Sequence, residues 1–238
     1  MQPIIIFGAG GHGRVVLDIL LQQQQFEPVG FLDNNPDLAQ RHVDGVRVLG
    51  SLSRLPELRR DGIRHAVVAI GDNGIRRKIA RILEQSGFEL VNAIHPSAQI
   101  ASTSTLGRGV VIATGANICA HVQVGDYAIL NSGCIVDHES MIGTATHVCP
   151  GVRLAGHVVV ESGAFVGIGA TVIQNVRIGM DATVGAGAVV IRDVDALSTV
   201  VGVPARVTRS AQASQPAQDL VVGFDARDPM ALQPTKQA

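Results

Sequence analysis

The apolar positions of this chain change period at about residue 93. Before that point, short β-branched runs alternate with segments of helical period. Strands are predicted at residues 3–7, 28–33, 46–49 and 65–71, and helices at about 12–25, 52–60 and 74–86. Beyond it the aliphatic residues recur every six positions, at Ile94, Ile100, Leu106, Ile112, Ile118, Val124, Leu130, Val136, Ile142, Val148, Leu154, Val160, Val166, Val172, Ile178, Val184 and Val190. A small or β-branched residue follows four places later, as at Ala98, Val110, Ala116, Cys134, Thr146, Ala170, Ala182 and Ala188. Glycine often comes directly after the aliphatic position, as at Gly107, Gly125, Gly143, Gly167, Gly179 and Gly185. A period of six fits neither a helix nor simple strand alternation. It fits a solenoid in which three hexapeptides form one triangular coil of 18 residues and coils stack about 4.8 Å apart.

The two patterns predict an α/β unit joined to a β-solenoid. Residues 1–92 form a small Rossmann-like parallel-sheet domain, residues 93–209 a parallel β-helix, and residues 210–238, which lack both repeat and period, a flexible tail. No register break interrupts Ile94 to Val190, so the flat faces themselves must build any active site, and a face becomes a deep cleft only against another subunit. Ligands of open α/β sheets bind beyond the carboxyl ends of the strands. Those ends carry Gly8 to Gly13, Asp33 with Asn34, and Gly71 with Asp72 and Asn73. Gly8, Gly10 and Gly13 keep the G-x-G-x-x-G spacing and Asp33 follows about twenty residues on, an arrangement as compatible with a nucleoside diphosphate as with NAD.

Composition narrows the partners. With 19 basic and 20 acidic residues the net charge is -1, which leaves no footprint for nucleic acid or an anionic membrane surface. No apolar run reaches the length of a membrane span, and a cytoplasmic protein is expected. Three cysteines without a C-x-x-C pair indicate neither a disulfide framework nor a zinc site.

The sharpest chemistry lies in "LNSGCIVDHESMIGTATHVCPG", where Asp137, His138 and Glu139 are consecutive and His147 follows half a coil later. Stepping by 18 places Gly156 beneath His138 and puts His121, Glu139 and His157 in one vertical column. Residues 94 to about 206, ending in "VGVPARV", resemble the left-handed β-helix acyltransferases; the hand of the helix and a homotrimeric assembly are what that resemblance implies. Within them, Asn131, Ser132, Val136, His138 and Glu139 match the N-[ST]-x-x-x-[IV]-x-H-[ED] stretch of the bacterial nucleotide-sugar acetyltransferases of the PglD and NeuD type.

The second resemblance implies acetyl transfer from acetyl-CoA, without a metal, to the amino group of a nucleotide-linked sugar, with a 4-amino-4,6-dideoxyhexose expected. His138 would be the general base and Glu139 its orienting partner. Gly156, favoured also by the coil arithmetic, would supply an oxyanion-stabilising N–H. His147, Gly156, Ile168, Gly185 and Ala186 would line the acetyl-CoA groove, with Arg192, Arg206 and Arg209 as phosphate candidates. Gly10, Gly11, His12, Asp33, Asn34 and Gly71 would hold the nucleotide sugar. His157 departs from the family pattern, where a smaller polar residue is expected. Two other functions fit the same motifs: O-acetylation of a sialic-acid-type sugar, and a non-catalytic nucleotide-binding scaffold or sensor that keeps the β-helix for trimerisation.

Overall fold

A computed structural model describes residues 1–210. The tail expected from residue 210 onward lies, from residue 211, outside the described residues. The chain opens with β1 (Gln2–Phe7), α1 (Gly11–Gln23), β2 (Phe26–Leu32), β3 (His42–Val43), β4 (Val46–Gly50), α2 (Leu55–Arg60), β5 (His65–Val68), α3 (Asn73–Gln85) and β6 (Glu89–Leu90). The strands form one sheet in the order β3-β4-β2-β1-β5-β6. All neighbours are parallel except the β3–β4 hairpin.

The short pairings at β3 and β6 carry too few residues to show a period, so the pattern of apolar positions does not predict them. The helix expected over 52–60 splits into a 3-10 turn at Leu52–Arg54 and α2, with Pro56 in the first turn of α2. There a missing N–H removes no helical bond. The strand expected to reach residue 71 stops at Val68, and the next residues turn into α3, whose first turn is capped by the Asp72 carboxylate accepting from the Ile75 N–H at 2.7 Å.

From Ala93 onward, two-residue strands stack into three sheets. The first face carries Ala93–Ile94, Val111–Ile112, Ile129–Leu130, His147–Val148, Phe165–Val166 and Thr183–Val184; the second begins at Gln99–Ile100 and the third at Thr105–Leu106. Each strand pairs in parallel with the one 18 residues on, as in Ile129↔His147, Ile135↔Arg153 and Met141↔Val159. From Ile112 to Val190 every aliphatic residue of the hexapeptide series is buried. Corners turn tightly because one residue in each adopts a left-handed backbone: all fourteen positions from 109 to 187 in steps of six have positive φ. After Val190 the last coil shortens, so that Val184 pairs with Val200, and Arg206–Arg209 folds back antiparallel on Thr199–Val201 to close the end.

The sheet domain sits on the first face. Ile4, Ile6, Val16, Leu17 and Leu20 share one core with Ala93, Val111, Ala113 and Ile129, while residues of α3 pack with Tyr127 and Ala145 at the corner between the third and first faces. Arg76 fastens this joint. Its fully buried guanidinium donates to the carbonyls of Tyr127 (2.7 Å), Ala145 (2.8 Å) and Thr146 (3.1 Å) in the β-helix, and to those of Ile70 and Gly71 (both 3.0 Å) in the sheet domain.

Candidate active site

His138 and Glu139 occupy the corner between the second and third faces, the vertex opposite the face that carries the sheet domain. Both side chains are half exposed, and Nδ1 of His138 lies 3.1 Å from Oε2 of Glu139. A carboxylate only accepts, so Nδ1 of the neutral ring carries the proton and Nε2 keeps a lone pair facing outward from that bond. The His138 N–H donates to Asp137 Oδ1 at 2.7 Å, which fixes the backbone just before the base. Hydrogen bonding from His138, with the nearby His157 imidazole, holds the Glu139 carboxyl below its ordinary range.

Gly156 lies directly under the ring. A Cβ there would stand 2.6 Å from both Cε1 and Nε2 of His138, closer than any side chain tolerates. The Gly156 N–H makes no hydrogen bond among the described residues, which leaves a donor beside the base. The column predicted from the 18-residue step is also present. The His157 N–H donates to the His138 carbonyl at 2.9 Å, and its Nε2 lies 3.2 Å from Glu139 Oε2.

The loops at the carboxyl ends of the sheet gather elsewhere, against the first face. Gly10, an extended residue that opens α1, and Gly11 have open space where a side chain would stand. Gly8 and Gly13 instead pack closely, since Cβ atoms there would meet Ala69 O at 2.6 Å and Gly8 O at 2.1 Å. Asp33 ties this turn to the end of β2, its carboxylate accepting from the Ala9 N–H at 2.9 Å and the Asn35 N–H at 2.8 Å. Asn34 Oδ1 faces the Leu52 N–H at 3.4 Å.

His12 and His147 meet across the joint, ring centroids 6.4 Å apart. His147 is buried, its Nδ1 3.2 Å from the Gly71 carbonyl and its Nε2 3.2 Å from Asn131 Nδ2, with the Phe165 ring edge-on at 5.3 Å. Burial, followed by the charge of Arg76, lowers both imidazoles to about 4, so each is neutral at pH 7. Nε2 of His12 is buried without a partner among the described residues.

Ile168, Gly185 and Ala186 line a third region, the corner between the first and second faces. Its left-handed positions are Gly115, Gly133, Gly151, Gly169 and Gly187, glycine throughout. Within one chain, then, the candidates form three groups: Gly156 joins His138 and Glu139, His147 joins His12 and Gly71, and Ile168, Gly185 and Ala186 stand apart at their own corner. Cys134 and Cys149 are buried, which pushes both thiols up to about 12 and leaves no nucleophilic thiolate. Sequence reasoning passed over Arg76, although a signal existed: it begins the buried stripe completed by Ile79, Ala80 and Leu83 on α3.

A hexapeptide β-helix with an oriented imidazole on one corner fits an acyltransferase. Residues 3–83 match the PglD N-terminal domain family. A GDP-perosamine N-acetyltransferase of Escherichia coli O157:H7 is 32% identical over 178 residues, covering 72% of this chain and 78% of its own. Among solved structures, a histidine-to-asparagine variant of perosamine N-acetyltransferase from Caulobacter crescentus, in complex with CoA and GDP-perosamine, is 42% identical with a TM-score of 0.85, covering 88% of this chain and 98% of its own. The acetyltransferase domain of PglB from Neisseria gonorrhoeae, in complex with acetyl coenzyme A, is 31% identical with a TM-score of 0.81, covering 87% and 98%. The chain belongs to the nucleotide-sugar acetyltransferases of the PglD and NeuD type, and its β-helix is left-handed as theirs is.

Proposed function

We propose that the chain moves the acetyl group of acetyl-CoA onto the amino group of a nucleotide-linked amino sugar, a GDP-linked 4-amino-4,6-dideoxyhexose of the perosamine kind, in cytoplasmic steps of surface-glycan synthesis. The observation that carries the chemistry is the His138 ring, tied at Nδ1 by Glu139 and free at Nε2 above Gly156. The sugar amine attacks the thioester carbon while Nε2 takes the amine proton. The Gly156 N–H steadies the oxyanion, which collapses to the amide as the C–S bond breaks and the coenzyme A thiolate takes the proton back from His138. No acyl-enzyme forms.

The nucleotide sugar is assigned to Gly10, Gly11, His12, Asp33, Asn34 and Gly71, and acetyl-CoA to the corner of Ile168, Gly185 and Ala186 with His147 at its edge. Left-handed corners accept His, Glu, Tyr, Ala, Asn and Asp elsewhere in this β-helix, so backbone geometry alone does not demand five glycines here. At Gly133, Gly151, Gly169 and Gly187 no atom comes within 4 Å of the place a Cβ would take, which suits a ridge against which a pantetheine arm or a neighbouring subunit lies. His138 stands on the vertex opposite the sheet domain, and this supports a homotrimer in which one copy's base serves its neighbour's ligands.

The test offers GDP-perosamine, UDP- and dTDP-linked amino sugars, and sialic acid with acetyl-CoA, following thiol release and product mass. Release with an amine acceptor is expected, and a His138→Asn variant should lose about 10²–10⁴-fold in kcat while still binding acetyl-CoA. Turnover with hydroxyl acceptors alone would overturn the amine reading, and an active His138→Asn variant would remove His138 as the base.

A further inference from the structure

We propose that His138, Glu139 and His157 form a site for one divalent transition-metal ion, zinc being the best match, and that filling it switches the base off. The inhibition rests on the reading of His138 given above; the site itself rests on geometry alone. One ligand atom from each residue lies within 4.8 Å of the other two. Glu139 Oε2 sits 3.1 Å from His138 Nδ1 and 3.2 Å from His157 Nε2, and the two rings stand edge to face at 86°. With zinc bonds of about 2.0–2.1 Å, the edges of a coordination tetrahedron measure about 3.3 Å, so both distances already approach those of bound ligands.

The frame behind these atoms is stiff. Glu139 and His157 occupy left-handed corner positions one coil apart, φ 58° and 57°, and the rung between His157 N–H and the His138 carbonyl fixes their separation. Half-exposed side chains give an ion free entry, and the fourth position stays open to water. Two imidazoles and one carboxylate are borderline ligands that favour zinc over magnesium or calcium.

The consequence for catalysis follows from the tautomer. Zinc at Nδ1 of His138 takes the place of the proton now donated to Glu139, and that proton moves to Nε2, where the neutral metallated ring carries it. That is the atom whose lone pair must receive the proton of the amine. A bound ion therefore leaves His138 in place but chemically inverted.

The experiment titrates Zn²⁺ into the full chain by calorimetry, beside His157→Asn and His138→Asn variants, with Mg²⁺ as a control. Acetyl transfer is then measured for the wild type and His157→Asn, each against its own metal-free rate. We expect one zinc ion per chain in the wild type, at least about tenfold weaker binding in both variants, and inhibition that chelator reverses and that His157→Asn escapes. Equal zinc binding by wild type and His157→Asn, or equal inhibition of both, overturns the proposal. Binding is read without reference to turnover, so failure of His138 as a base and failure of the metal site give different results.

Discussion

At the scale of single residues, the close spacing between His138 and Gly156 bears directly on the base. A methyl group on Gly156 would stand 2.6 Å from two atoms of the ring, and the corner backbone cannot retreat because rungs hold it from both neighbouring coils. Gly156→Ala should therefore swing the imidazole off Glu139 and lower kcat by about 10²-fold, the usual cost of misplacing a catalytic group by about 1 Å. Steady-state kinetics with an unchanged circular-dichroism spectrum checks this, and a variant of full activity would place the base elsewhere. The buried imidazoles make a second prediction. His12 and His147 bind a proton only near about 4 when folded, whereas a histidine in the unfolded chain does so at its ordinary value of 6.5. Between those limits the unfolded chain holds more protons, so stability is full above about 6.5 and falls as the pH drops toward 4. The Tm should decline by several degrees between pH 7 and pH 5, at about 2–4 °C per kcal/mol for a chain of this size. His147→Asn, which keeps a donor for the Gly71 carbonyl, should show a smaller decline; an equal one would assign the effect to other groups.

Between elements, one buried cation ties the sheet domain to the β-helix, beside the shared apolar core and the Asn73 side-chain bonds to the Gly163 and Ala164 carbonyls. The Arg76 guanidinium satisfies five carbonyls and also donates to the Asn73 side chain, whose oxygen lies 2.8 Å from Nη2. Arg76→Met takes the side-chain donor from the Tyr127, Ala145 and Ile70 carbonyls, whereas Thr146 keeps the Ile129 N–H and Gly71 keeps His147, and it should cost about 3–5 kcal/mol, at about 1–3 kcal/mol for each buried acceptor left unpaired. A fall in Tm of about 10 °C or more is expected, with Arg76→Lys between, since an ammonium has three donors for six acceptors; an unchanged Tm would show that the apolar packing and the other bonds across the joint hold it without Arg76. This joint also shows what a sequence conceals. The hexapeptide coils are legible because each inward Ile, Leu or Val repeats the same environment, and the 18-residue step alone brings Gly156, His138, Glu139 and His157 together. Arg76 is not legible as a clasp because its acceptors, Tyr127 and Ala145, lie in coils far along the chain, and carbonyl oxygens leave no mark in a sequence. The shortened last coil likewise follows the end of the repeat, where the pattern has no further position to compare.

At the scale of the whole molecule, the placement of the base and the nucleotide-side loops decides how an active site can be assembled. His138 stands on the vertex between the second and third faces, while Gly10, His12 and Gly71 lie against the first, with the filled β-helix interior between them. A single chain cannot bring them together without unstacking its coils. Beside the His138 corner, the outer third face carries an open groove of about 600 Å³ that includes Val124, Met141, Val159 and Met180, apolar surface suited to burial against another copy. Two variants separate the halves of such a shared site. His138→Asn removes the base, and Gly10→Leu fills the acceptor cradle; the Gly10 backbone, at φ -85° in open space, admits the larger side chain without strain. Each variant alone should be inactive. If each site takes its base from one copy and its cradle from the next, chains mixed equally during refolding should yield intact pairs at about one site in four, and about a quarter of wild-type activity should return. Recovery on mixing cannot arise from sites built within one chain, because every chain then carries one defect or the other. Mixtures that stay inactive, although native mass spectrometry shows hybrid trimers, would return the whole site to a single subunit.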